Sequence, residues 1–272
     1  MPAYEQSNSD RKLRPRGAAP ANETDFINEI EVVHGPPSVL GRFFLRADQA
    51  VRDVGIVLKF GTFEELAATN DANRESWPAL TPLFDHRLCR ISPETGVCII
   101  GRDETGKVVA ASAARSIDLG RATLKQKAES LELFYPDKSP QERAGYSCSL
   151  TAPSAETVRG EIIYSGATWF HPSVRRLGLA RLIPKLSRSA AATKWGANFI
   201  FSFVTTELIQ RNIPAAYGYR NLEWGLDLKR SGTPLYSGAL IWMDQAELHA
   251  SLSDFVDGLE AQIDVGVRQR RA

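Results

Sequence analysis

Between Glu161 and Glu207 this chain has no acidic residue, yet it carries Arg175, Arg176, Arg181, Lys185, Arg188 and Lys194. The formal net charge of all 272 residues is only +1, so the surplus is local. It follows an apolar, strand-like run, Ile162 to Phe170, and crosses His171-Pro172-Ser173 and Gly178 at the opening of an amphipathic helix. Two arginines at a helix start sit where the peptide dipoles already place positive charge. An anion resolves the conflict. A strand, a glycine turn, free backbone amides and excess cations together make a cradle for a polyanion, most simply a pyrophosphate.

The bulk composition excludes several classes. Hydrophobic residues at 43% and charged residues at 24% are ordinary for a water-soluble globular chain, and the near-neutral balance argues against a dedicated nucleic-acid binder. Cys89, Cys98 and Cys148 form no CxxC pair, and His34, His86, His171 and His249 are scattered, so no metal-ligand spacing exists. Reduced thiols, a polar start without a signal sequence and the lack of a long apolar run give the expectation of a cytoplasmic protein with no membrane partner.

Residues 1–25 read as a disordered basic tail, with Arg11, Lys12, Arg14 and Arg16 in water. Val54 to Phe60 reads as a strand, and Thr62 caps a helix with Glu65 at the capping-box position. The spacing of Trp77, Leu80, Leu83 and Phe84 predicts a second short helix. Val97 to Arg102 and Lys107 to Ile117 flank a hairpin-length turn. The stretch 119–160 breaks the rhythm. It includes a polar helix over 121–133, is otherwise loop-like, and reads as a surface excursion of the kind that shapes a substrate site.

Beyond it come the strand Glu161 to Phe170 and a helix with Leu179, Leu182, Ile183, Leu186 and Ala190 on its apolar face. Arg181, Lys185 and Arg188 form a separate stripe, and Pro184 is expected to bend the axis. Trp195-Gly196 ends this helix. A strand over 197–204, a helix over 207–219 capped by Thr206, and strands over 222–228 and 236–243 complete the order. The expected fold class is α/β (α+β): a mixed, mostly antiparallel central sheet of about six or seven strands flanked by helices. A long insertion precedes the fourth strand. The expected domains are 50–250, with the insertion 119–160, and a C-terminal helix or tail over 251–272.

The segment Arg175-Arg176-Leu177-Gly178-Leu179-Ala180 matches the (Q/R)-x-x-G-x-(G/A) signature of the GCN5-related N-acetyltransferases, and Phe170-His171-Pro172 resembles the lead-in to it. A second region resembles the family as well. Ala215, Tyr219 and Trp224 stand at the family's offsets from Asn212, and 37 residues separate Arg175 from Asn212. Three positions depart from the pattern: Glu223 stands where glycine is usual, and Pro184 and Pro214 fall within the two signature helices.

The resemblance implies an acyl-CoA N-acyltransferase that moves an acetyl group from acetyl-CoA, or another acyl group, directly to a primary amine. The acceptor is a small molecule or a protein amino group, and the oligomeric state, a homodimer included, stays open. It implies that Trp169, Phe170 and His171 offer a strand edge to the pantetheine. The loop amides of Arg176, Leu177, Gly178, Leu179 and Ala180 would hold the pyrophosphate, with Arg175 supporting the loop, Arg176 or Arg181 pairing with a phosphate, and Asn212 holding the pantetheine arm. Tyr219 takes the position of the general acid. Glu161 is the candidate base, with Tyr164 and His171 as other options. A long-chain N-acyl synthase of the same fold and a non-catalytic acyl-CoA-binding regulatory module are the alternatives. No metal is expected.

Overall fold

The computed structural model describes residues 26–271, with side chains described as far as residue 258. The tail reading for residues 1–25 lies outside the described residues. The elements are α1 (Pro37–Asp53), β1 (Val57–Phe60), α2 (Phe63–Ala72), β2 (Gly96–Arg102), β3 (Val108–Asp118), α3 (Leu124–Glu129), α4 (Ser139–Arg143), β4 (Tyr146–Leu150), β5 (Glu161–Phe170), α5 (Ile183–Trp195), β6 (Ile200–Thr205), α6 (Thr206–Gln210), α7 (Ile213–Ala216), β7 (Asn221–Arg230), β8 (Thr233–Met243) and α8 (Gln245–Arg271). All eight strands join one sheet in the order β1-β2-β3-β5-β6-β8-β7-β4. Only β5 and β6 run parallel. The mixed, mostly antiparallel expectation holds, with one or two more strands than expected.

The sheet has a core on each face. On one side α1, α5 and α8 pack through Phe43, Val51, Ile183, Leu186, Leu248 and Leu252. On the other, α2 and the segments between strands supply Leu66, Trp77, Phe84, Leu124, Phe134 and Leu150. Helix α1 was not foreseen in the sequence. It is nevertheless integral, with Leu40, Phe43 and Ala47 fully buried.

Several local readings change. Trp77 to Phe84 is not a helix; it is an extended and turning segment with a single 3-10 turn, Pro82–Phe84, although Trp77, Leu83 and Phe84 are buried as expected of apolar residues. The stretch 119–160 is not a surface excursion. Leu119, Leu124, Ala128, Leu131 and Leu150 are buried in the second core, and β4 supplies the eighth strand by pairing with β7. Its helix is shorter than expected, running Leu124–Glu129 behind a capping box made by Thr123 and Gln126. The apolar residues here are too irregularly spaced for a periodic pattern, yet three-dimensional packing collects them.

The helix after β5 begins at Ile183, later than expected, so Pro184 lies in its first turn and removes no interior bond. Every residue from Ile183 to Thr193 is buried, so the stripe of Lys185 and Arg188 does not face water. Only Arg181, ahead of the helix, is exposed. The expected helix 207–219 is broken. Thr205, not Thr206, caps α6 by accepting from the Leu208 amide, and Asn212 turns left-handed (φ 57°) before the short α7.

What positions the site is the parting of β5 from β6. Their register runs only through Ile163↔Ile200 and Tyr164↔Phe201, while β5 continues to Phe170 and β6 to Thr205. The cause is a bulge in β5. Ala111 pairs with Trp169 but Ala113 pairs with Gly166, so β5 carries an extra residue there, and Ala167 takes φ 47°. A bulge bends its strand and sharpens the twist. From Tyr164 to Phe170, at ~3.3 Å per residue, the open side runs about 20 Å. A β-branched side chain cannot adopt the Ala167 conformation without strain of roughly 1–3 kcal/mol. Ala167→Val is therefore expected to lower stability by that amount in urea denaturation, whereas Ala167→Gly is neutral or stabilising.

Candidate active site

The loop after β5 is built by hand-offs between short turns. Pro172–Val174 forms one 3-10 turn and Leu179–Arg181 another, with Gly178 at φ 79° between them. Arg176 also has a positive φ, 77°, which is rare and strained outside glycine. Among the described residues, the amides of Arg176, Gly178, Leu179 and Ala180 donate to no backbone acceptor. A Cβ placed on Gly178 would meet nothing within 4 Å, so it would project into open space. Glycine is needed here for its conformation and for the approach of a ligand, not for close packing inside the protein.

The three exposed arginines have different tasks. Arg175 braces the loop: its Nε donates to the Phe170 carbonyl at 3.1 Å and an Nη to the Ser76 carbonyl at 3.3 Å. Arg176 and Arg181 make no ion pair among the described residues and project into solvent, while the Leu179 side chain anchors the turn in the core. Leu177 is exposed. Ala180 is half-buried where the loop turns toward α5.

The strand edge is set by pairing. The His171 amide donates to Val109 of the neighbouring chain segment at 2.8 Å. By the alternation of an antiparallel ladder, the N–H and C=O of Phe170 point away from β3 into the gap. Trp169 is buried, stacked on Trp77 at 5.1 Å, with its Nε1 donating to Ser76 Oγ at 3.1 Å. His171 is engaged at both ring nitrogens, with Lys107 Nζ at 3.0 Å and Ser173 Oγ at 2.7 Å. Desolvation and then the adjacent Lys107 and Arg175 cations hold its pKa below the usual histidine range.

The second signature region lies across the gap. Asn212 is exposed, and with Arg181, Lys185, Ala215, Gly218 and Ser251 it lines a groove of about 450 Å³ between α5, α7 and α8. Lys185 donates to Ser251 Oγ, and burial brings its pKa down to about 8. Tyr219 is buried, its ring 4.4 Å from the Arg188 guanidinium carbon, and its hydroxyl has no partner among the described residues. Trp224, by contrast, is 53% exposed on β7 and packs into no site. Glu223 next to it accepts from the Ser154 amide and hydroxyl and from Trp242 Nε1, tying the 119–160 stretch to the sheet.

Glu161 stands apart from these groups. It begins β5 on the paired side of the fork, exposed, with Oε1 accepting from Ser116 Oγ at 2.6 Å. Tyr164 sits at the last β5–β6 pair, fully buried, and burial raises its phenol to about 12. The fold thus brings Asn212 beside Arg181 and Lys185 and sets Tyr219 against Arg188, and it leaves Glu161 on the paired side of the β5–β6 register. The sequence reading missed Arg188 and Tyr217. The run Ser187-Arg188-Ser189-Ala190-Ala191-Ala192 was the available signal, since small residues on all sides let neighbours close around a helix.

No family model and no curated protein matches the chain. Among solved structures, it is similar to Arabidopsis thaliana NAA60 in complex with acetyl-CoA, with 11% identity over 70% of this chain and 99% of that one, TM-score 0.42. It is also similar to Mycobacterium smegmatis RimJ in complex with CoA-disulfide, with 12% identity over 73% and 88%, TM-score 0.42. A third is FeeM, an N-acyl amino acid synthase from uncultured soil microbes, with 9% identity over 72% and 94%, TM-score 0.41. These are likenesses of outline, and no residue's role passes from them to this chain.

Among the described residues no group of His, Cys, Asp and Glu could hold a metal, and no helix is long and apolar enough to cross a membrane. All three cysteines are free and buried, and burial pushes the Cys148 thiol up to about 12.

A desolvated ammonium makes Lys185 a testable element of the groove. Its folded pKa lies below its unfolded value, so between about 8 and 10.5 the unfolded chain binds more protons and stability rises with pH. Below that window the cost of burying the charge is carried in full. Lys185→Met is therefore expected to raise the melting temperature at pH 7, with the gain shrinking by pH 9.5. Thermal denaturation at both pH values checks it.

Proposed function

We propose that the protein is an acyl-CoA-dependent N-acyltransferase of the GCN5-related type, acting over residues 50–250 with α1 packed against that unit. The observation that carries the reading is a row of loop amides without backbone acceptors among the described residues, following directly on a forked parallel strand pair. The amides of Arg176, Gly178, Leu179 and Ala180, with Arg176 and Arg181, suit a pyrophosphate. The Phe170 edge suits an extended, amide-bearing arm that adds to the sheet as a further strand would. Asn212, just ahead of α7, lines a groove with Arg181 of the loop.

The reaction is written as direct transfer. The acceptor nitrogen attacks the thioester carbonyl carbon, the C–S bond breaks, and the departing thiolate takes a proton. The Phe170 N–H, turned into the gap, is placed to receive the developing oxyanion. Tyr219 supplies the proton to sulfur, a role for which a neutral phenol is suited. Glu161, on the paired side of the fork, is too far along the strand to take the proton from the amine, so we assign that transfer to water. The acceptor is a primary amine of a small molecule or of a protein. The residues 119–160 and 77–84, on the opposite face from α5, are where it would be recognised.

Calorimetry with acetyl-CoA and with 3′-dephospho-CoA tests the cofactor assignment. Micromolar binding that weakens without the 3′-phosphate is expected, and no binding at millimolar concentration would overturn it. Gly178→Glu places both a Cβ and a negative charge before the amides and is expected to abolish that binding while the far-ultraviolet circular dichroism stays native. With an acceptor in hand, Tyr219→Phe is expected to lower kcat by roughly a hundredfold with little change in KM, the usual weight of a general acid.

A further inference from the structure

Arg188 is the most anomalous residue in the molecule. It is 0% exposed, and among the described residues it forms no ion pair. One Nη donates to the Tyr217 carbonyl at 2.6 Å, its face lies over Tyr219, and its Nε and other Nη have no acceptor. The Tyr219 hydroxyl beside it is orphaned too. A buried guanidinium without an anion is among the costliest arrangements a core can hold. Residues 162–206 contribute no acid that could answer it.

The cluster's position gives the anion a source. Arg188 lies five residues into α5, about 7.5 Å past its start at ~1.5 Å per residue. Tyr217 is acted on both by Arg188 and by Thr168, which belongs to the parted stretch of β5. Tyr219 is within electrostatic reach of Tyr164, at the last β5–β6 pair. Arg188, with Tyr217 and Tyr219 against it, therefore borders the parted stretch of β5 on the face covered by α5.

Resting on the acyltransferase reading above, we infer that the inner end of the fork is a carboxylate site, with the unpaired Nε and Nη of Arg188 as its donors. The carboxylate can arrive on the acyl chain, as in malonyl- or succinyl-CoA, or on an amino-acid acceptor. Both satisfy the same unpaired donors, and the test separates them.

Calorimetry on the full chain compares CoA, acetyl-CoA, malonyl-CoA and succinyl-CoA. A second series, at saturating CoA, compares alanine and glutamate with their α-amides. A charge-assisted bond to a buried group is worth about 10- to 100-fold in affinity. A preference of that order for the carboxylate form is expected in one series. It should fall to near parity in Arg188→Met and survive in part in Arg188→Lys, a pattern that a merely structural arginine would not produce. Acetyl-CoA binding without a carboxylate preference in either series overturns this inference alone, as does a preference that persists in Arg188→Met. If Arg188→Met does not fold, the wild-type preference and its reduction in Arg188→Lys decide. Failure of every CoA compound to bind overturns the acyltransferase reading and this inference with it.

Discussion

The organisation of this molecule depends on two parallel strands that stay together for two residue pairs and then separate. An unpaired strand edge inside a sheet leaves backbone amides and carbonyls without partners, which is costly unless something else meets them. Here the cost is confined. The bulge at Ala167 turns β5 away, Arg175 takes the Phe170 carbonyl, and the loop after Phe170 folds back over the opening. The loop that follows the open edge carries amides of Arg176, Gly178, Leu179 and Ala180 that meet no backbone acceptor among the described residues. Fork and loop are one construction.

Helix α5 shows how the two faces of this construction are bound together. It is buried on all sides, so its polar residues must find uses inside the protein. Lys185 reaches α8 through Ser251, and Arg188 reaches the segment after α7 through Tyr217. Both cations lose hydration without gaining a carboxylate partner at ion-pair distance among the described residues. Desolvation without compensation normally disfavours the charged form of a lysine, and the lowered pKa of Lys185 reflects that. Arg188 has one hydrogen bond, to the Tyr217 carbonyl, and two further guanidinium nitrogens without a partner among the described residues.

The opposite face of the sheet is built by the long stretch between β3 and β5. Its apolar side chains complete a second core, its strand β4 extends the sheet beyond β7, and Glu223 fastens it through Ser154. A glutamate at this position thus has a structural task of its own. Trp77 stacked on Trp169 carries the same core up to the strand edge.

The order of strands and helices around 161–243 was legible in the sequence because alternation, glycine and proline act locally there. Glu161 to Phe170 is a strand and Gly196 ends the helix, with φ 69°, as its chemistry requires. The loop with its unanswered cations was legible for the same reason: charge and turn signals are adjacent in the chain. Three things were not. Whether Arg188 faces water or a core, whether Glu161 lies inside or outside the fork, and whether residues 119–160 cover a surface or build one all depend on partners many residues distant. A stripe of cations on a helix reads as solvated only while one assumes that a single face is covered. The sequence by itself determined the local chemistry of the loop and the periodicity of each strand. Tertiary structure decided burial, because a charge's environment is set by whatever packs against it and not by its neighbours in the chain.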